Sequence, residues 1–197
     1  MNLPDESYAV LNGVYLRKMV TIDVLHDITA MPADEIRSVL DDLATQGLAV
    51  DVGGGNWMLE QPDGVRAAIA AYDERYSDLR TSQDVLTWYE RFEVLNAQFL
   101  TTLSAWQTSG SDDAALDKVL RLVDRQIKVL TSFVGFVPRY QRYADRFEAA
   151  TEKVEAGHTE WVTSLTLDSV HNVWFELHED ILTVLGRPRD VAEAEHG

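Results

Sequence analysis

"MPADEIRSVLDDLATQGLAV", residues 31–50, has the pattern of the second helix of a helix-turn-helix. Ile36, Val39, Leu40 and Leu43 recur at the spacing of a buried helical stripe. Pro32 falls where the first helical position should be, and its missing N–H costs nothing there. Gly47 suits the left-handed cap that closes a helix running to about Gln46. The outward residues are Asp34, Glu35, Arg37, Ser38, Asp41, Asp42 and Thr45, and their charges sum to −3. A helix that reads DNA offers Arg, Lys, Asn or Gln to bases and more basic groups to phosphates. The stretch therefore specifies an architecture while its outward charge works against that architecture's usual ligand.

The flanking sequence extends the pattern. A first helix is expected over about Glu6–Met19, and Thr21 is placed to cap a short helix at Ile22–Thr29. After Gly47, "LAVDVGGGNWMLE" sets two apolar segments around three glycines, the signature of a hairpin. "QPDGVRAAIAAYDERYSDL" then returns to helical periodicity. This order over about 75 residues resembles the winged-helix domains of bacterial regulators of the MarR type. The resemblance covers about 40% of the chain and is carried by apolar positions rather than diagnostic residues. It implies a homodimer that contacts DNA through the helix at 32–46. The DNA-binding candidates are Arg17, Lys18, Arg37, Ser38 and Arg66, with Arg37 the best placed for a base. The wing tip at Gly53–Gly55 carries no Lys or Arg for a minor groove.

The second half reads as nearly all helix. Val85, Trp88, Phe92, Leu95, Phe99, Thr102 and Trp106 alternate at three and four residues, a seam for packing against other helices. Ser111 is placed to cap the next helix, whose stripe is Leu116, Val119, Leu120, Val123, Ile127, Leu130 and Val134. A third helix carries Tyr140, Tyr143, Phe147, Ala150 and Val154, and a fourth is "DSVHNVWFELHEDILTVLG". Four antiparallel helices with short links imply a bundle.

Two constellations in this half bear on function. Arg139, Arg142 and Arg146 fall at i, i+3 and i+7, so they share a face beside Tyr140 and Tyr143 and could receive an anion. The simpler reading is a solvated face answering acidic neighbours. His171, Trp174 and His178 lie on one face of the last helix, with Glu176, Glu179 and Asp180 expected off it. Positions seven apart sit about 10.5 Å apart along a helix, too far for both histidines to ligate one zinc ion. Buried histidines, or a pocket lined by His and Trp, are the better readings. The stretch from Gly157 to Arg187, above all Asp168, Ser169, His171 and Val173–Asp180, is similar to the C-terminal part of a bacterial winged-helix group. Some members of that group accompany or are joined to phosphoenolpyruvate-utilising enzymes. The resemblance implies a partner enzyme and a working surface on the last helix.

Bulk properties narrow the field. The net charge of −16 is spread evenly, −8 in residues 1–80 and −8 in 81–197, and repels nucleic acid and anionic lipid at long range. With no cysteine, disulfides, thiolate metal sites and cysteine nucleophiles are excluded. No nucleotide-binding loop or nucleophile elbow is present, and "VGGGNW" opens no helix. No signal peptide and no membrane span are evident. The expectation is a mainly α cytoplasmic protein without cofactor, metal or enzymatic activity. It comprises a winged helix-turn-helix at 1–80, a four-helix antiparallel bundle at 81–187 and a frayed tail at 188–197. The expected role is a MarR-like regulator sensing an effector or partner through its bundle. The alternative is an accessory protein whose acidic winged helix docks on a partner enzyme.

Overall fold

The computed structural model describes residues 3–110 and 112–187. Its first elements are α1 (Asp5–Arg17), β1 (Met19–Val20), α2 (Ile22–Thr29), α3 (Ala33–Thr45), β2 (Ala49–Gly53), β3 (Asn56–Leu59) and α4 (Asp63–Tyr76). α1 ends two residues before the expected Met19. Lys18 adopts φ 66°, and its N–H closes the last turn on the Val14 carbonyl. Met19 instead opens β1, a strand too short to show any alternation in sequence. Thr21 caps α2 as expected, its hydroxyl accepting from the Val24 N–H at 3.3 Å. The turn into α3 is held by His26 Nδ1 against the Met31 carbonyl at 2.7 Å.

Pro32 is the N-cap of α3 rather than its first residue. Pro32 has ψ 144°, extended backbone, and its carbonyl accepts from Ile36 N. Gly47, at φ 70°, lets its own N–H reach Ala44 O while Leu48 N reaches Leu43 O. That pair of bonds satisfies the last carbonyls of α3 and turns the chain into β2. The sheet is antiparallel in the order β1-β3-β2, with Met19 opposite Met58 and Val50 opposite Met58. At Gly64 the α4 backbone passes so close to the Leu48 carbonyl that a Cβ would lie 2.1 Å from its oxygen. Leu11, Val14, Leu25, Ile36, Leu40, Leu43, Trp57 and Leu59 form the core between the helices and the sheet.

α5 (Gln83–Thr108), α6 (Asp113–Thr131), α7 (Gln141–Glu155) and α8 (Val170–Val184) complete the chain, giving eight α-helices among the described residues. Ser111 lies outside the described residues. Asp112 caps α6 instead, its carboxylate accepting from Ala115 N at 3.0 Å. The packing of α5–α8 is aromatic: Trp88 stacks on Phe133 at 3.9 Å and Phe99 on Trp174 at 3.8 Å. The fold is thus mainly helical with a small three-stranded antiparallel sheet.

The chain divides into two compact units, residues 1–78 with 178–197, and residues 79–177. α8 contributes its first half to the second unit and its second half to the first. A polar contact holds that second half: the Tyr72 hydroxyl donates to Asp180 at 2.8 Å and accepts from Asn12 Nδ2. The expected frayed tail lies outside the described residues. No helix among the described residues is long and apolar enough to cross a membrane.

Candidate functional site

α3 presents the most distinctive surface of the first unit. Ile36, Leu40 and Leu43 are buried, which turns Asp34, Glu35, Arg37, Ser38, Asp41 and Asp42 to solvent. Asp34 and Glu35 occupy the first turn, where the helix dipole favours negative charge. Asp41 and Asp42 lie nearer the other end and gain nothing from it. None of these four carboxylates forms an ion pair among the described residues. Arg37 is exposed and likewise unpaired.

The other DNA-binding candidates are placed differently. Lys18 lies over the Tyr15 ring at 4.5 Å and borders a cleft of about 310 Å³ that Met58, Gln61 and Val65 also line. Arg66 is paired with Asp63 one turn earlier on α4. Arg17 is half-buried and Ser38 is exposed. Lys18 and Arg66 are thus engaged with the chain's own groups, and of these cations Arg37 alone stands on α3.

In the second unit the expected arginine surface breaks up. Arg139 sits in a single 3-10 turn over the Tyr140 ring, and Arg142 bonds Asp145 at 3.2 Å. Arg146 is buried, in contrast to the surface role expected for it. Its Nε and Nη2 donate to Asp168 at 2.8 Å, while Nη1 and Nη2 donate to Glu176 at 2.7 and 2.8 Å. Burial works against the guanidinium charge, but Glu176 and Asp168 outweigh it and hold the pKa well above its ordinary value. Glu176 faces inward because this cation waits for it; the apolar periodicity of α8 could not reveal that. The residue type and position carried one signal. Arg146 stands within the stripe of Tyr143, Phe147 and Ala150, and a cation there needs a counter-ion.

Trp174 is likewise buried rather than at a surface. Its indole N–H donates to Asn96 Oδ1 at 3.0 Å. His171 and His178 fall in different units, His171 half-buried and His178 buried. Burial lowers the His171 pKa, partly opposed by a hydrogen bond with Asn172, and its Nδ1 has no hydrogen-bond partner among the described residues. No group of three His, Asp or Glu placed to hold a metal ion occurs among the described residues. Sequence reading also missed Gln126. It is fully buried on α6 with neither amide atom hydrogen-bonded among the described residues. Its position among the apolar residues of α6 was the available signal.

Comparison with known proteins finds no family model, no curated protein and no solved structure that matches this chain.

Proposed function

We propose that the first unit is a winged helix of the MarR type, and that the chain is a regulatory adaptor that docks on a partner protein through α3. The observation that carries this reading is the exposed face of α3: four unpaired carboxylates around one arginine. Facing DNA, that surface would meet phosphates with its own negative charge and release few counter-ions. Facing a basic protein surface, the same charges steer association and fix register. α5–α8 are read as a four-helix bundle that supports a homodimer, and no catalytic role is assigned. The resemblance of the α8 region to proteins that accompany phosphoenolpyruvate-utilising enzymes makes such an enzyme the first partner to try, in the cytoplasm.

The test has two arms. Co-purification with the enzyme encoded beside it should survive in the wild type and be lost in Asp41→Lys/Asp42→Lys. Anisotropy with duplex DNA from its own operon, at about 50 mM salt where phosphate contacts count most, should show no binding. Retention of the enzyme by the double variant would refute docking through α3. A second reading, a dimeric DNA-binding regulator, is favoured by Arg37, exposed and unpaired on α3. Duplex binding that Arg37→Glu abolishes would establish that reading in place of the first.

A further inference from the structure

α5 and α6 run side by side and leave a groove of about 570 Å³ on their outer surface. Val94, Leu95 and Val129 give it an aliphatic lining. Val94 is 56% exposed and offers apolar surface to solvent. The rim carries Arg91, Arg125 and Lys128 against a single carboxylate, Glu90. Arg125 donates to Gln98 at 3.0 Å, while Arg91 and Lys128 have no partner among the described residues. In a chain of net charge −16, this strip is locally positive and apolar at once.

We infer that this groove is the docking site for an acidic amphipathic helix of a partner protein. From Thr87 to Val94 it spans about 10 Å of α5, two helical turns. Apolar anchors of a helix at i and i+4 would lie on Val94 and Val129, with flanking carboxylates meeting Arg91, Arg125 and Lys128. The groove is open to solvent, whereas sites for small ligands enclose most of the ligand surface. A second copy of this chain fits poorly. Its exposed acidic helix, α3, keeps Ile36, Leu40 and Leu43 buried and has no anchors to offer.

The inference is independent of docking through α3 and is tested on the full chain. The probe is a synthetic amphipathic peptide of about 18 residues, long enough to hold a helix, with Leu at i, i+3, i+4 and i+7 and Glu on the flanks. Anisotropy at about 50 mM salt should show saturable binding. Lys128→Glu, Val94→Asp, or exchange of Glu for Lys in the peptide should each weaken it about ten-fold or more. Both substituted residues are exposed, so circular dichroism should be unchanged. Equal binding by the lysine peptide, indifference to both variants, or no binding up to about 1 mM peptide would overturn the inference. Saturable binding of decanoate lost in the same variants would overturn it in favour of a small organic anion. A dimer in sedimentation that Val94→Asp dissociates would do so in favour of a second copy. Asp41→Lys/Asp42→Lys should leave peptide binding intact, which separates this outcome from that of the α3 reading.

Discussion

Replacing Arg146 with Met isolates the energetics of the second unit's buried charges. Four N–H groups now satisfy two carboxylates at 2.7–2.8 Å, and Glu176 is only 4% exposed. Without the guanidinium, Glu176 would lose its counter-charge in a site with little water. Removing one partner of a buried pair costs about 3–5 kcal/mol. Asp168, at 28% exposure, can recover part of its hydration, so a loss of about 4 kcal/mol is expected. In urea, with a slope of about 2 kcal/mol per molar, that moves the midpoint down by about 2 M. Tryptophan fluorescence follows it directly, since Trp174 packs on α5 and α7. Arg146→Met/Glu176→Leu should recover most of the loss, coming within about 1 kcal/mol of wild type, because it removes the stranded charge along with its partner. If Arg146→Met costs under about 1 kcal/mol, or the double variant is as unstable as the sum of the singles, the triad is not the constraint described.

Gln126→Leu should raise stability by about 1–2 kcal/mol, because it removes a buried amide without hydrogen bonds; a fall in melting temperature would contradict that. Gly64→Ala should destabilise by about 1–3 kcal/mol despite alanine's better helical propensity, since its Cβ meets backbone rather than a movable side chain. His171 adds a pH dependence. Burial lowers its pKa from 6.5, so as pH falls below that value the unfolded chain takes up a proton first and stability declines. His171→Gln should flatten that decline in denaturant midpoints measured from about pH 7 to 5, and an identical slope in both proteins would exclude the histidine as its source.

The elements were legible in the sequence where the signal is local. The stripes of α3, α5, α6 and α7, the Thr21 cap and the glycine turn at Gly47 rest on residues within a few positions of each other. The β2–β3 hairpin followed from its glycines in the same way. β1 was not legible, because its two residues form a strand only by pairing with β3. Nor was the division of α8 between the two units, for nothing in its continuous apolar pattern marks a boundary at His178.

For the candidate sites the boundary between sequence and structure falls at the charged side chains. Sequence sufficed to turn the carboxylates of α3 outward, since four apolar neighbours on the same helix fix that face. It could not decide whether Arg146, Glu176 or Asp180 would face water. Each is buried by a partner far along the chain: Asp168 and Glu176 lie 22 and 30 residues from Arg146, and Tyr72 lies 108 residues from Asp180. An apolar residue can be placed by its own aversion to water and its helical period. A charged residue can be buried only when an opposite charge or a donor is already there, and only the tertiary structure supplies it.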